Sequence, residues 1–438
     1  MSGKTLSEFK NICVLGASGK MGRGIVFLMA QYFFKLNFKK GIKFELVAVD
    51  ISEEGLKNML SYIEVQLSKF SEKNFSQIIE IYSEELVKGS KEYYFKKYTE
   101  DVLKCIKTST SIESAKEARL IFEAVAESID LKTELMHKIE AITTVNPFYF
   151  TNTSSIPINR IERNANVKGR VIGFHFYNPP PVQKLLEVIK TNNCLKELEL
   201  IAQELAKCLN KTVVNAPDFT GFIGNGVFIR EVSYAIGLVE MLAPEKGLTS
   251  AVFLVNEITK KLLLRPMGIF EVVDYVGINV CKSIMDIMAN DFKNEHFNNA
   301  LLKRLLEQNI IGGQDNNGKI KNGIFKYESG EILGVFNGLN YSNSNQLNFD
   351  ESVNLTWREL RGAKKMDSIL FNHFNDLSKS SDVAAKIAVE YLKACCVIGK
   401  DLVANGIAFN NKDVNSVMKL GFHHLYGPII PFFLKYNL

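Results

Sequence analysis

Apolar runs and polar stretches alternate along the first half of the chain. The run NICVL (11–15) ends at Gly16, and GASGKMGRG then leads into IVFLMAQYFFKL, whose length and spacing are typical of a helix. A second apolar run, FELVAVD (44–50), ends in an acidic residue. This order predicts a strand, a glycine turn, a helix and a second strand.

The stretch 53–104 is polar, rich in lysine and glutamate and free of proline, which predicts helices that lie outside the sheet. Strand patterns resume afterwards at 119–127, 147–155, 170–180 and 185–190. Strands that alternate with helices predict an α/β domain with a largely parallel sheet.

The pattern changes near Pro217. Apolar residues then recur every three or four positions, and they do so again in 386–407, which predicts a helical second half. Between these helical groups lies a turn-rich stretch, 312–348, which we interpret as a loop and a domain boundary.

Composition narrows the class of protein. Hydrophobic residues make up 46% and charged residues 23%, as in globular proteins, and the net charge of +5 comes without a basic stripe. We therefore expect no nucleic-acid partner, although a slightly basic surface suits a phosphate-bearing ligand. Seven scattered cysteines without CxxC spacing favour a reducing compartment. MSGKTLSEFK lacks a signal-peptide pattern and no eighteen-residue apolar run follows, so we expect a cytoplasmic protein with no membrane partner.

The glycine turn has the spacing GxxGxxG, formed by Gly16, Gly19 and Gly22. Small residues let the backbone approach a pyrophosphate, whose charge the N-terminus of the next helix stabilises. Lys20 and Met21 lie inside this turn and are further cofactor-binding candidates. A tight structural turn is the alternative, but the flanking strands favour a dinucleotide site.

Asp50 ends the second predicted strand, where a carboxylate can accept hydrogen bonds from both adenosine ribose hydroxyls. It would repel a 2′-phosphate, and no arginine follows it in ISEEG. The sequence therefore predicts NAD as the cofactor rather than NADP.

His175 lies in GFHFYNPPP, and Glu187 follows twelve residues later in an adjacent apolar strand. A histidine can act as a general base near neutral pH, and a carboxylate on its other ring nitrogen fixes the tautomer. The alternative is a hydrogen-bonded core histidine.

Three motifs together resemble a known family: TNTSS (151–155), GFHFYNPPPVQKLLEVIK (173–190) and PDFTGFIGN (217–225). In order and spacing they are similar to the L-3-hydroxyacyl-CoA dehydrogenases of fatty-acid β-oxidation, over residues 10–290. The resemblance implies NAD-dependent, reversible oxidation of L-3-hydroxyacyl-CoA to 3-ketoacyl-CoA, in β-oxidation or in butanoate-type metabolism.

The resemblance also implies roles for single residues. His175 would be the catalytic base and Glu187 its partner, while Ser154 and Asn225 would contact the 3-oxygen and the acyl portion of the substrate. For Ser154 the alternative is a helix N-cap. Asn225 lies early in an apolar helix, where a buried amide without a partner would be costly.

Five further residues occupy positions that the family uses. The resemblance implies that Asn178 lines the nicotinamide site, that Glu127 and Lys132 lie around the cofactor, and that Lys69 and Lys73 bind phosphates of CoA. The alternatives are a turn-forming asparagine, a solvated helix start at Glu127 and Lys132, and a solvated helix face for the two lysines.

Three features depart from the family pattern. The glycine turn is one residue longer, Gly226 stands where an arginine is usual, and Ile269 stands where a proline is common. They motivate one alternative function, a catalytically weakened relative kept for binding or scaffolding. A second alternative is a dehydrogenase of the same fold that takes a small hydroxy acid without CoA.

The tail, 382–428, resembles the second copy of the helical domain in multifunctional β-oxidation proteins. In those relatives the second copy packs on the first as a partner subunit would, so we expect a monomer with a pseudo-dimeric helical half. We expect no hydratase domain before Lys10. His423 and His424 lack nearby ligands, so we expect no metal site.

The expected fold is a Rossmann-type α/β dinucleotide-binding domain followed by an all-α C-terminal region made of two related helical domains. The first domain would cover 1–215, with the helical excursion at 53–104. The first helical domain would cover 216–330, and the second, with a structural role, 331–438.

Overall fold

The computed structural model describes residues 10–41, 44–82, 89–315, 318–344 and 355–430. The chain forms two compact units, Met1–Asp218 and Phe219–Leu438, which are described separately below. The N-terminal segment MSGKTLSEF, on which the signal-peptide prediction depends, lies outside the described residues. No helix in the described ranges is both long enough and apolar enough to cross a bilayer.

The first unit contains one eight-stranded sheet in the order β3-β2-β1-β4-β5-β6-β7-β8. Its strands are β1 (Asn11–Leu15), β2 (Glu45–Val49), β3 (Ile106–Ser109), β4 (Leu120–Glu123), β5 (Phe148–Thr151), β6 (Val171–Phe176), β7 (Leu185–Lys190) and β8 (Thr212–Ala216). All neighbouring strands run parallel except the antiparallel pair β6–β7. This sheet confirms the predicted Rossmann-type α/β fold. Because β1 lies between β2 and β4, the chain changes direction across the sheet there and opens a crevice at the carboxyl end of β1.

Helices connect these strands. They are α1 (Lys20–Lys40), α2 (Glu53–Lys73), α3 (Phe75–Tyr82), α4 (Lys91–Leu103), α5 (Ile129–Ile142), α6 (Ile158–Asn164) and α7 (Lys196–Cys208), with a 3₁₀ turn at Ile112–Ala115. The stretch between β2 and β3 folds into α2, α3 and α4. Ser52 caps α2 by accepting a hydrogen bond from the N–H of Gly55, and the helix buries Leu56, Met59, Ile63 and Leu67.

The second unit is helical, as predicted, with one small sheet. Its helices are α8 (Gly224–Lys246), α9 (Leu248–Glu257), α10 (Ile269–Val276), α11 (Ile278–Asp291), α12 (Ala300–Glu307), α13 (Trp357–Leu360), α14 (Met366–Lys379), α15 (Val383–Ala404) and α16 (Asn411–Gly421), with a π-helical turn at Ile258–Leu262. One hydrophobic core runs from Phe228 to Tyr426, and α15 packs on α8. The two predicted helical domains thus share a core, and their origin as two related copies stays a prediction.

The loop prediction for 312–348 is wrong for residues 325–343. These residues form an antiparallel sheet of β9 (Phe325–Glu328), β10 (Glu331–Phe336) and β11 (Tyr341–Asn343). Ser329 and Gly330, both with positive φ, make a two-residue turn that suits the twist of a hairpin. Burial of Phe325 and Val335 gives the sheet a core face, so short strands form despite the turn-rich sequence.

Candidate active site

In the glycine turn after β1, the backbone passes very close to the chain that follows β4 and to the first turn of the next helix. Gly16 has φ +72°, and a Cβ there would lie 2.7 Å from the carbonyl oxygen of Ala124, which follows β4. A Cβ on Gly22 would overlap the carbonyl oxygen of Gly16. Helix α1 begins at Lys20 with Gly19 as its N-cap, so Lys20 and Met21 form the first turn. The turn therefore offers amide groups at a helix N-terminus with no side chain to keep a pyrophosphate away.

Asp50 follows β2 and faces this turn. Its Oδ2 accepts a hydrogen bond from the N–H of Ser18 at 3.0 Å, and its Oδ1 accepts one from the N–H of Ser52 at 3.2 Å. The carboxylate is thus anchored beside the glycine turn, where a ribose must lie if the pyrophosphate meets the start of α1. Together the turn and Asp50 fit a dinucleotide that has no phosphate on its 2′-hydroxyl.

His175 and Glu187 form a buried pair across β6 and β7. They stand opposite each other in the antiparallel register, with His175 Nδ1 2.9 Å from Glu187 Oε2. The Glu187 side chain is fully buried, and His175 is 8% exposed. A carboxylate can only accept here, so we assign the imidazole proton to Nδ1 and the lone pair to Nε2. This geometry is suited to a general base.

Tyr177 donates a hydrogen bond to the same carboxylate, a contact that the sequence analysis did not predict. Its hydroxyl donates to Glu187 Oε2 at 2.9 Å, and its ring centroid lies 4.9 Å from that of His175. Burial and the neighbouring carboxylate raise the pKa of Tyr177 well above its usual value, so the phenol stays protonated. The available signal was the spacing, because residues i and i+2 share one face of a strand.

Ser154 lies in the turn after β5, which is organised by Glu127. Glu127 Oε1 accepts hydrogen bonds from the N–H groups of Ser154 and Ser155, both at 2.9 Å, and from the hydroxyl of Thr153 at 2.7 Å. The Ser154 hydroxyl lies 3.4 Å from the same oxygen. Since α6 begins at Ile158 with Pro157 as its N-cap, the N-cap interpretation of Ser154 is wrong.

Lys132 sits between two carboxylates. Its Nζ lies 2.8 Å from Glu123 Oε1 and 3.3 Å from Glu127 Oε2, and its side chain is 1% exposed, so the solvated helix start is wrong for Lys132. Burial alone would raise the pKa of Glu127, but Lys132 and the hydroxyl donors hold it below its usual value. Glu123 also accepts from the Thr151 hydroxyl, which ties the network to the end of β5. The network fixes the turn that carries Ser154.

The bend after His175 is held at both ends. Asn152 Oδ1 accepts from the N–H of Phe176 at 2.9 Å, and Gln183 donates to the carbonyl oxygen of Asn178 at 3.4 Å. Lys211 donates to the carbonyl oxygens of Pro180 and Gln183 at 2.5 and 2.6 Å. Sequence reasoning missed Asn152 and Lys211; Asn152 stands inside the TNTSS motif, which was its signal.

Lys69 and Lys73 are exposed on α2. They are four residues apart, which puts them on one face of the helix, as a pair of phosphate contacts or a solvated face would be.

Asn225 belongs to the second unit, where it is partly buried in the first turn of α8. Its neighbour Gly226 is buried, and a Cβ there would lie 3.1 Å from Leu402 Cδ2 of α15. Arg230 donates to the carbonyl oxygen of Gly226 at 2.8 Å. Position 226 is therefore filled by packing between α8 and α15, which leaves little room for the arginine usual in the family.

Ile269 is the first residue of α10, and its N–H donates to the hydroxyl of buried Thr259 at 2.9 Å. A proline lacks this donor, which accounts for the departure at position 269. Among the described residues no three His, Cys, Asp or Glu side chains gather as a metal site would require. Burial, followed by the Arg265 charge, holds the pKa of His424 well below its usual value.

The comparisons agree with this geometry. Residues 11–219 match the NAD-binding domain of 3-hydroxyacyl-CoA dehydrogenase, and residues 221–322 match its C-terminal domain. The mitochondrial hydroxyacyl-coenzyme A dehydrogenase of Mus musculus is 31% identical over 63% of this chain and 79% of the mouse protein.

Two further relatives extend over most of the chain. A putative fatty acid oxidation complex trifunctional enzyme of Rickettsia felis is 28% identical over 96% of this chain, which spans about half (52%) of the Rickettsia protein. The crystal structure of 3-hydroxybutyryl-CoA dehydrogenase from Escherichia coli shares the fold, with a TM-score of 0.66 and 20% identity over 98% of this chain and 92% of that one. The first unit is thus an NAD-binding domain, and the chain belongs to the 3-hydroxyacyl-CoA dehydrogenase family.

Proposed function

We propose that this protein oxidises L-3-hydroxyacyl-CoA to 3-ketoacyl-CoA with NAD, reversibly, and that His175 is its general base. The observation that carries the proposal is the buried contact between His175 Nδ1 and Glu187 Oε2, at 2.9 Å. It supports an imidazole whose Nε2 takes the proton from the 3-hydroxyl, while Glu187 stabilises the imidazolium that forms. The NAD-dependent dehydrogenase family supports the substrate class and the cofactor.

Each remaining site residue has a proposed task. Ser154 and Asn225 hold the 3-oxygen and the acyl portion, and Asn178 lines the nicotinamide site. NAD, when bound, supplies the acceptor for the hydride that leaves C3 of the substrate. Lys69 and Lys73 bind phosphates of the CoA portion, for which their exposed ammonium groups are suited.

For Glu127 and Lys132 we propose an indirect task in place of cofactor contact. The hydrogen bonds from the Ser154 and Ser155 amides support Glu127 as the residue that shapes the substrate turn. Lys132 keeps that carboxylate ionised.

The direction of the reaction depends on pH. Oxidation needs the neutral form of His175 and releases a proton, whereas reduction needs the imidazolium. We therefore propose that alkaline conditions favour oxidation, whether the protein serves β-oxidation or a butanoate-type pathway.

We also propose that the protein acts as a monomer in the cytoplasm. The seven cysteines are free thiols, which supports a reducing compartment. The packing of α15 on α8 around one core supports a tail that takes the place of a second subunit.

The test is NADH oxidation by the purified protein with acetoacetyl-CoA, beside NADPH and a His175→Gln variant. We expect NADH to be strongly preferred, since Asp50 would face the 2′-phosphate, and we expect the variant to lose about 10²- to 10⁴-fold in kcat. His137→Gln, which changes an exposed histidine of the same unit, is the matched control and should keep full activity. Turnover with free hydroxy acids alone would favour the CoA-free alternative, and NAD binding without any turnover would favour the scaffold.

A further inference from the structure

We propose that Tyr177 is a positioning residue for His175, which acts through the Glu187 carboxylate that the two side chains share. The inference deepens the proposed function, because it rests on His175 as the base. The Tyr177 hydroxyl faces the carboxylate of the pair.

The geometry gives one acceptor atom two donors. Glu187 Oε2 receives the Tyr177 hydroxyl at 2.9 Å and His175 Nδ1 at 2.9 Å. Glu187 comes from the middle of β7 and is fully buried, while the two donors lie two residues apart at the end of β6. Two hydrogen bonds to one oxygen fix the rotation of the carboxylate and, through it, the plane of the imidazole.

The phenol also competes with the imidazolium for the negative charge of the Glu187 carboxylate. A donor to an ionised carboxylate makes a strong hydrogen bond and weakens the field that the carboxylate exerts on its other partner. Since the pKa of Tyr177 is raised well above its usual value by burial and Glu187, this donor is present throughout the working pH range. The consequence is that Glu187 stabilises the imidazolium less than a carboxylate with His175 as its single donor would.

Other charged groups near the pair are already engaged. On the face of β6 where Gly173 meets Ile158 of α6, Glu162 accepts from the Thr191 hydroxyl, and Asp218 accepts from the N–H groups at the start of α6. Lys211, which directly precedes β8, lies 5.7 Å from the ring centroid of Phe176, on the opposite face of the strand. Tyr177 and Glu187 are therefore the groups through which a change in His175 is best tested.

The first experiment is the pH dependence of kcat/KM for oxidation of L-3-hydroxybutyryl-CoA in the wild type and in Tyr177→Phe. We expect the acid limb of the profile to move to higher pH by about half to one unit, a loss of about three- to tenfold on that limb, with KM for NAD unchanged. Tyr149→Phe is the matched control: Tyr149 is a buried tyrosine of β5 whose hydroxyl donates to a different carboxylate, Glu140, at 2.7 Å. A Tyr177→Phe profile that coincides with those of the wild type and the control would overturn the proposal.

Two further measurements separate this inference from the proposed function. NMR titration of the His175 ring, assigned with His175→Gln, should show protonation at higher pH in Tyr177→Phe than in the wild type, whether or not the protein turns over acetoacetyl-CoA. In a Glu187→Gln background the substitution should shift neither the titration nor the profile, because no carboxylate charge remains to be shared. An unchanged titration in Tyr177→Phe, or an equal shift in the Glu187→Gln background, would refute the role of Tyr177 and leave the role of His175 standing.

Discussion

Buried carboxylates occur in both units of this protein, but they bind different kinds of partner. In the first unit Glu187 binds the side chains of His175 and Tyr177, both of which lie at the end of a strand. In the second unit Glu231 of α8 binds Arg265 at 2.7 Å, and Asp274 of α10 accepts from the backbone N–H groups just before and within β9. Burial of a charge therefore does not indicate a catalytic site by itself. What distinguishes Glu187 is its partner, a histidine that can take up a proton, whereas Glu231 binds a guanidinium that stays charged and Asp274 binds backbone amides and the Tyr327 hydroxyl.

The partners of two carboxylates, one in each unit, also determine the direction of their pKa shifts. Burial raises the pKa of Asp274 to about 7, and its three neutral hydrogen-bond donors only partly oppose this. Glu127 is partly buried, yet its pKa lies below the usual value because Lys132 and the donors of the Ser154 turn outweigh desolvation. A cation beside a buried carboxylate keeps it ionised at neutral pH, and an ionised carboxylate can hold hydroxyl and amide donors in fixed directions.

The largest effects should come from removing the buried cation in each unit. Lys132→Met leaves the carboxylates of Glu123 and Glu127 without their cation, and Arg265→Met does the same to Glu231. Each substitution should therefore lower the free energy of unfolding by about 3–5 kcal/mol. Urea unfolding with hydrogen exchange can assign the loss to one unit, and the single tryptophan, Trp357, reports the second unit by fluorescence.

The two variants should differ in activity. Under conditions where both remain folded, Lys132→Met should lose turnover, because Glu127 no longer shapes the turn of Ser154, whereas Arg265→Met should keep both turnover and NAD affinity. Lys138→Met, which removes an exposed lysine paired with Glu134, is the control for the loss of a cation. Equal losses of activity in both variants would contradict the view that Lys132 positions the site while Arg265 only stabilises the fold of the second unit.

A smaller effect is expected from restoring the family residue at position 269. Ile269→Pro removes the N–H that donates to Thr259 and leaves this buried hydroxyl with one donor fewer, at a cost of about 1–3 kcal/mol in unfolding free energy. Proline is otherwise well tolerated at the first position of a helix, so the lost hydrogen bond should account for the effect. Ile269→Val keeps the N–H and should cost less in the same urea titration; a proline variant as stable as the valine variant would contradict this account.

The sequence was sufficient for the fold of the first unit and for one functional pair. NICVL, FELVAVD and the glycine turn predicted the strands and the crevice, because each signal is local. The contact between His175 and Glu187 could be anticipated because both lie in apolar strands joined by a short proline bend. Most of the site that could be predicted from the sequence therefore consists of the glycine turn, Asp50 and this pair.

Contacts that depend on separate loops could not be anticipated. Glu127 reaches the amides of Ser154 and Ser155 only because the loops after β4 and β5 meet at one edge of a parallel sheet. Lys132 looked solvated because the carboxylates that bury it come from β4 and its loop. The hairpin at 325–343 was missed for a similar reason: its turn residues were visible, but the buried position of Phe325 depends on helices far away in sequence.

The smallest expected effect comes from a comparison of two lysines of the first unit, the buried Lys132 and the half-buried Lys211. Burial tends to lower the pKa of both, but Glu123 and Glu127 raise that of Lys132. Lys211 instead donates to the carbonyl oxygens of Pro180 and Gln183 and lies 5.7 Å from the ring centroid of Phe176, and its pKa falls to about 8. An unfolded lysine titrates near 10.4, so between pH 8 and pH 10.4 the unfolded chain binds more protons than the folded one. The contribution of Lys211 to stability should therefore rise with pH in this window, by on the order of 1 kcal/mol, and this rise should be absent in Lys211→Met. Calorimetry of the wild type, this variant and Lys69→Met at pH 7.5 and pH 10 checks the sign: Lys69 is exposed, so its variant should keep the wild-type rise. If Lys211→Met also kept that rise, backbone carbonyls would be as effective as carboxylates in holding a buried ammonium, and the partner would no longer explain the difference between the two lysines.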